Sequence, residues 1–155
     1  MGHVQVVQRL LEARARVHQA DRRGESPLHA AAASGSVEVV QLLMSAGAEK
    51  DHVGQQGSVP LHIASLNGHL DVVRALVEAG ADKNKADYLG AAPLHLAAEQ
   101  GCPPVVQYLL EVNADQDQPD GLGMVPLRSA ALNGQLETVL CFLESEDEGT
   151  EMSRK

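Results

Sequence analysis

The chain has 155 residues, a formal net charge of −9 and a hydrophobic share of 44%, yet only 2% of its residues are aromatic. This length allows one domain with a sizeable core, and the scarcity of aromatic residues means that Ala, Leu and Val must build it. The negative charge argues against a general affinity for nucleic acid or for anionic membranes.

The cysteine content and the hydropathy pattern indicate a soluble protein of a reducing compartment. Cys102 and Cys141 are too few for a disulfide framework, and we interpret both as small, buried or half-buried hydrophobic residues. No charged-then-apolar leader precedes a small-residue cleavage site, and no apolar run approaches the roughly 18 residues that a membrane span needs. We expect a cytoplasmic location, with the nucleus as an alternative.

The first predicted element is a helix at the start of GHVQVVQRLLEARARVHQADRRG, residues 2–24. Its apolar residues include Val4, Val7, Leu10 and Leu11, and a polar, arginine-rich stretch follows them. The helix has no partner before it in the sequence, so we expect these side chains to expose apolar surface at this end of the molecule.

The second predicted element is a pair of helices that begins at SPLHAAAASG, residues 26–35. Proline is favoured at the first helical position because its missing N–H would have no partner there, and Gly35 ends this helix after roughly two turns. Apolar residues at helical spacing predict a second helix, capped by Gly47: Val37, Val39, Val40, Leu42 and Leu43. The polar segment AEKDHVGQQG then projects from the helix pair.

This unit recurs with a period of 33 residues along the rest of the chain. Four position sets share the register: Pro27, Pro60, Pro93 and Pro126; Gly35, Gly68, Gly101 and Gly134; Gly24, Gly57, Gly90 and Gly123; and Val39-Val40, Val72-Val73 and Val105-Val106, with Thr138-Val139 as a variant. Asn113 stands where Gly47 and Gly80 cap the earlier second helices. The sequence therefore predicts one supersecondary unit stacked several times.

The motif and its period resemble those of ankyrin-repeat proteins. The resemblance implies an all-α repeat solenoid of stacked helix-turn-helix ankyrin repeats with projecting β-turn fingers. We divide the chain into an N-terminal half repeat (1–25), which lacks its first helix, repeats at 26–58, 59–91 and 92–124, and a C-terminal repeat (125–145). Residues 146–155 are acidic and lack apolar spacing, so we expect a disordered tail there.

No local motif for catalysis or for a cofactor is present in the sequence. His29, His62 and His95 occupy one equivalent position in successive repeats, too far apart to share a zinc ion, and the resemblance implies structural hydrogen bonds for them. We extend this structural interpretation to His3 and His69. Asn84 resembles the acceptor for asparaginyl hydroxylation on ankyrin fingers, although Lys83 departs from the usual apolar neighbour. We expect a non-catalytic protein with no cofactor and no metal.

The resemblance implies that binding occurs on the concave face, formed by the fingers and the exposed side of each first helix. Positions that vary between repeats are candidates for recognition there: Arg22, Arg23, Gln55, Gln56, Tyr88, Leu89, Leu122 and Met124 on the fingers, and Leu66, Glu99 and Leu132 on the first helices. The fingers change from cationic to amide to apolar along the chain. Exposed Tyr, Leu and Met in one patch are typical of a protein-binding hot spot.

Our first hypothesis for function is a non-catalytic module that holds a protein partner on this face. Two alternatives remain open at the sequence level. The chain could be a small competitive inhibitor of a partner enzyme, by analogy of size and fold with ankyrin inhibitors of cyclin-dependent kinases. It could also be a structural spacer, or a fragment of a longer solenoid, which self-associates through the uncapped N-terminal half repeat.

Overall fold

The structure, a computed structural model, describes the backbone of residues 2–152 and the side chains of residues 4–145. Within that part of the chain the regular elements are nine α-helices and one 3-10 turn at Gln55–Gly57, and no strand occurs. The helices are α1 (Gly2–Glu12), α2 (Pro27–Ser34), α3 (Val37–Ser45), α4 (Pro60–Leu66), α5 (Leu70–Glu78), α6 (Pro93–Gln100), α7 (Pro103–Glu111), α8 (Pro126–Leu132) and α9 (Leu136–Met152).

The helices form two stacked rows, which confirms the predicted all-α repeat solenoid. The first helices α2, α4, α6 and α8 pack side by side, and the second helices α1, α3, α5, α7 and α9 form the other row. Each first helix also packs against the second helix that follows it. A continuous core lies between the rows, with Leu28, Leu61 and Leu94 from the first helices and Leu76, Leu109 and Phe142 from the second.

Left-handed residues end the helices at the positions that the repeat predicts. Gly35 has a φ of 73° after α2, and Asn113, the predicted substitute for glycine after α7, has a φ of 60°. The half repeat has Arg14 at this register position, with a φ of 59°. A left-handed conformation costs such a residue about 1–2 kcal/mol, so the N-terminal unit is less well terminated than the others.

A histidine ladder joins neighbouring repeats. His62 Nδ1 accepts the N–H of Val59 at 3.1 Å, and its Nε2 lies 3.0 Å from the carbonyl oxygen of Ala91, which leads into the next first helix. Because an N–H can only donate and a carbonyl can only accept, His62 is neutral and carries its proton on Nε2. His29 and His95 repeat this geometry with Ser58 and Met124.

The backbone of α9 stays helical as far as Met152, within the segment 146–155 for which the sequence predicts disorder. Glu146 stands at the register position of Gly47 and Gly80, and it has no preference for the left-handed conformation that ends those helices. The helix therefore runs on to Met152 instead of stopping after about nine residues as the others do. Residues 153–155 lie outside the described part of the chain.

One buried hydroxyl in α9 has no hydrogen-bond partner. Thr138 is 1% exposed, and its Oγ1 has no partner within the described residues. The other second helices have valine at the equivalent position, as in Val72 and Val105. The hydroxyl thus loses its water without gaining a hydrogen bond, which lowers the stability of the last repeat.

We predict that Thr138→Val stabilises the chain, because valine keeps the volume and removes the unpartnered hydroxyl. The free energy of unfolding should rise by about 1 kcal/mol, and the melting temperature by about 2–4 °C. Thermal melts followed by circular dichroism measure this change. The reverse control, Val72→Thr, should lower the melting temperature, whereas a lower value for Thr138→Val would mean that the Thr138 hydroxyl is bonded after all.

We further predict that stability falls as the pH drops below the ordinary range of histidine. Burial lowers the pKa of His62 below the ordinary histidine value of 6.5, so the folded state binds the proton less readily than the unfolded state. The contribution of neutral His62 to the free energy of unfolding is fully present above pH 6.5. It declines as the pH falls through that value towards the pKa of the folded state. Melts at pH 7.5 and 5.5 should differ less for His62→Asn than for the natural chain.

The control for this pH experiment is His18→Asn at an exposed position. It should keep the pH dependence of the natural chain. An equal pH dependence for His62→Asn and the natural chain would show that the buried His62 does not contribute to it.

Candidate protein-binding surface

The fingers, residues 21–25, 54–58, 87–91 and 120–124, are tight turns closed by a backbone hydrogen bond between their first and last residues. In three of them an aspartate begins the turn, and its Oδ1 accepts two further N–H groups. Asp87 Oδ1 accepts from Leu89 at 2.8 Å and from Ala91 at 2.9 Å, and Asp21 and Asp120 do the same in their fingers. These bonds fix the direction in which each tip residue projects.

The same N–H donors lower the pKa of two of these aspartates. The N–H of Glu25 lowers the pKa of the Asp21 carboxyl most, followed by that of Arg23. The N–H of Met124 is the largest influence that lowers the pKa of Asp120. Both carboxylates therefore stay ionised, and keep their turns, well below neutral pH.

The second finger has a different turn because it lacks this aspartate. Gly54 stands in its place, so no side chain accepts the N–H groups of the tip. Gln56 adopts a left-handed φ of 59° and Gly57 follows with a φ of 80°, which produces the 3-10 turn. The exposed tip side chains of Gln55 and Gln56 are therefore presented in another orientation than those of the other fingers.

Backbone hydrogen bonds tie the second, third and fourth fingers together. The N–H of Tyr88 donates to the carbonyl of Gln56 at 2.9 Å, and the N–H of Gly121 donates to the carbonyl of Leu89 at 2.8 Å. The Tyr88 ring lies directly on Gly57: a Cβ built on that glycine would be 2.5 Å from Tyr88 Cδ1. The first finger contacts the segment just before the second finger, because His52 Nε2 lies 3.1 Å from the Gly24 carbonyl oxygen.

Three of the predicted tip residues are highly exposed. Tyr88 is 77% exposed, Leu89 70% and Leu122 85%, although each has a large apolar side chain. They lie on the third and fourth fingers, which the bond from Gly121 joins. We call these three residues the apolar finger patch. None of them is part of the buried core of the repeats.

The first helices present the other predicted residues. Leu66 and Leu132 are exposed near the ends of α4 and α8, and Glu99 is exposed on α6, which packs between those two helices. Arg22 and Arg23 are exposed on the first finger, at the far end of the finger row from Leu122. The row thus has a basic end and an apolar end.

Met124 differs from its sequence-based prediction, because it is half-buried. Its N–H donates to Asp120 Oδ1, and its carbonyl accepts from His95 Nε2 and from the Asp120 N–H. Its backbone therefore closes the finger and anchors the histidine ladder. The bond from the Tyr88 N–H to the carbonyl of Gln56 was not predicted from the sequence, where Gly54 in place of aspartate was the available signal.

Asn84 has a structural role in the joint between two repeats. It is half-buried, and its Oδ1 accepts the N–H of Asp115 at 2.9 Å. Asp51 does the same for the N–H of Asp82 at the preceding joint, with 3.0 Å between the two atoms. The hydroxylation of Asn84 stays a prediction.

The titratable side chains form no reactive cluster in the described part of the chain. No group of three or more His, Cys, Asp or Glu residues there could hold a metal ion. Cys102 and Cys141 are free and half-buried, and burial raises the pKa of both thiols. His69 Nε2 lies 3.1 Å from the Ala33 carbonyl oxygen, which gives it a structural role, while the side chain of His3 lies outside the described residues.

Comparison with known proteins identifies the repeats. A family model described as ankyrin repeats in three copies matches residues 1–87 and 84–155. No curated protein sequence matches the chain. In addition, no described helix is both long enough and apolar enough to cross a membrane.

We predict that Gly57→Ala destabilises the chain more than Gly123→Ala. Both glycines have a positive φ, 80° and 75°, so both substitutions carry the same backbone strain of about 1 kcal/mol. Only at Gly57 does the new Cβ meet another group, the Tyr88 ring and its backbone nitrogen, whereas nothing lies within 4 Å at Gly123. Thermal melts should show the larger loss for Gly57→Ala, and equal losses would mean that Tyr88 moves aside without cost.

Proposed function

Because the chain belongs to the ankyrin-repeat family, whose repeats are generally protein–protein interaction modules and generally non-catalytic, we propose that it binds one protein partner on its concave face. The apolar finger patch makes the central contact. Gln55 and Gln56 lie beside it, and Arg22 and Arg23 add a basic contact at the end of the finger row. The protein acts in the cytoplasm or the nucleus.

The observation that carries this proposal is the exposure of the apolar finger patch on a rigid backbone. Tyr88, Leu89 and Leu122 expose most of their surface, which costs solubility and brings no benefit to the core. Their turns are held by aspartate and by finger-to-finger hydrogen bonds. A backbone held in this way loses little conformational entropy when a partner covers the patch, so the patch is suited to be an affinity anchor.

The charges on the same face restrict the kind of partner. Arg22 and Arg23 are exposed at one end of the row, and Glu99 is exposed between Leu66 and Leu132 on the first helices. A complementary partner has an apolar segment for the patch and acidic side chains towards the arginines. This arrangement favours orientation and fast association, while the apolar contacts contribute most of the affinity.

We predict that a chain with Tyr88→Glu and Leu122→Lys loses the partner without losing its fold. Both side chains are exposed, so the substitutions should leave the melting temperature nearly unchanged. Replacing two anchoring side chains by charges should weaken binding about a hundredfold or more. The measurement is a paired pull-down from cell extract with mass-spectrometric identification, followed by titration of the purified partner.

The matched control has Gln41→Lys and Gln107→Glu, which add the same two charges at exposed positions of the second helices. A partner that the control retains and the patch variant loses identifies both the function and the face. Equal capture by both variants would remove the apolar finger patch from the proposal.

We also predict that a chain with Arg22→Glu and Arg23→Glu binds the same partner more weakly than the natural chain. The loss of affinity should be larger at low salt than at high salt, because salt screens the charges.

A further inference from the structure

Two asparagine–glycine bonds lie at equivalent places in the solenoid, where first helices end. Asn67-Gly68 follows α4 and Asn133-Gly134 follows α8, both in the local sequence Leu-Asn-Gly-x-Leu, and both asparagines are exposed to water. A backbone nitrogen can attack the side-chain carbonyl carbon of the asparagine before it, and glycine hinders this attack least because it has no Cβ. Deamidation is therefore chemically most favoured at these two asparagines of the chain.

The reaction converts an asparagine into an acid with solvent as the only co-reactant. The Gly68 nitrogen loses its proton to hydroxide and forms a bond to Cγ of Asn67. The Cγ–Nδ2 bond then breaks, and Nδ2 takes a proton from water and leaves as ammonia. Water opens the resulting cyclic imide at one of its two carbonyls, which gives aspartate or isoaspartate.

The folded turn after α4 blocks this attack. The Gly68 N–H donates to the carbonyl of Ser65 at 3.2 Å, and Asn67 Nδ2 donates to the carbonyl of Ile63 at 2.9 Å, so both reacting groups are held on the helix. In addition, Asn67 has a ψ of −1°. This value turns the Gly68 nitrogen away from the side chain, whereas ring closure needs both on the same side of the Cα–C bond.

The turn after α8 repeats this arrangement. The Gly134 N–H donates to the carbonyl of Ala131 at 3.1 Å, and Asn133 Nδ2 donates to the carbonyl of Ser129 at 2.8 Å. Asn133 has a ψ of 5°. The reaction at either site therefore requires that the end of the first helix opens.

Both repeats that carry a reactive bond also contain a buried hydroxyl without a hydrogen-bond partner. Ser65 is 0% exposed and precedes Asn67 by two residues, and Thr138 is 1% exposed on α9, which packs against α8. Among the buried side-chain oxygen and nitrogen atoms of the described residues, only these two hydroxyls lack a partner. Each lowers the stability of its own repeat and so favours the opening that the reaction needs.

We propose that Asn67 and Asn133 are deamidation sites and that each reacts when its own repeat unfolds locally. Local unfolding in a repeat array need not spread to the other repeats, so the two sites react independently. The rate at each site is the rate of the unfolded asparagine–glycine bond multiplied by the fraction of time that its repeat is open.

The products would add negative charge to the candidate binding surface. Asn67 and Asn133 directly follow Leu66 and Leu132, which are exposed on the same first helices. Any effect of this charge on a partner rests on the proposed function, whereas deamidation itself does not. The test therefore measures the chemistry in the absence of a partner, so that its failure would leave the proposed function untouched.

The test is prolonged incubation of the purified chain, folded or in denaturant, followed by tryptic digestion and mass spectrometry. Trypsin releases Asn67 and Asn133 in the separate peptides 51–74 and 129–154. In denaturant both sites should react at similar rates, because their local sequences match. In the folded chain both should react at least about tenfold more slowly.

Two outcomes of this comparison would overturn the proposal. Equal rates in the folded and the denatured chain would show that the hydrogen-bonded turns do not control the reaction. The absence of product at both sites of the folded chain, after about a hundred half-lives of the denatured chain, would show that the repeats do not open enough to react.

Two stabilising substitutions test whether each repeat controls its own site. Ser65→Ala introduces the alanine that all other first helices have at this position, and it should slow Asn67 about fivefold and leave Asn133 unchanged. Thr138→Val introduces the valine of the other second helices, and it should slow Asn133 by about the same factor and leave Asn67 unchanged.

Each of these variants is the matched control for the other. If either variant slowed both sites equally, the chain would open as a whole and the local control of each site would be overturned. If neither variant slowed its own site, the unpartnered hydroxyls would not govern the opening, and the proposal would fall as well.

Discussion

The hydrogen bond from each buried histidine to a carbonyl just ahead of the next first helix is the constraint on which the stacked architecture depends. A single helix pair cannot bury its apolar face, so every repeat needs its neighbour at a fixed distance. His62 sets that distance from both sides, because Nδ1 holds the start of its own helix and Nε2 reaches the carbonyl of Ala91, two residues before the next first helix. Protonation leaves the bond from Nε2 to the carbonyl in place but turns Nδ1 into a donor that faces the N–H of Val59, which couples the start of the first helix to protonation.

The fold could be predicted from the sequence because its determinants recur every 33 residues. These determinants are the prolines that begin the first helices, the glycines that end them and the paired valines of the second helices. Each acts locally, so it can be recognised without knowledge of the neighbouring repeats. The turn at Gln56 could not be predicted in this way, since it results from the loss of one aspartate to Gly54. The half-burial of Met124 depends on the groups that pack against it, whereas the continuation of α9 follows from Glu146 at the position where the earlier repeats have glycine or asparagine.

The proposed recognition and the architecture use different atoms of the same fingers. The backbone and the aspartate side chains make the turns and the joints, while the tip side chains project without any contact that the core requires. Tip residues can therefore change with little effect on stability, and the sequence at Tyr88 and Leu122 is free to follow a partner. The structure explains the presentation of these residues; the identity of the partner depends on surfaces of another molecule.

The left-handed conformation of Arg14 makes the unit that carries the first finger less stable than the units that carry the third and fourth fingers. Arg14 ends the unit of α1 in a left-handed conformation that costs about 1–2 kcal/mol, whereas glycine or asparagine ends the units of α3, α5 and α7. In a linear array, local unfolding starts in the least stable unit and need not spread to the others. Transient unfolding there would withdraw Arg22 and Arg23 while the third and fourth fingers stay formed. A bound partner would then lose its electrostatic hold intermittently and remain attached through the apolar contact.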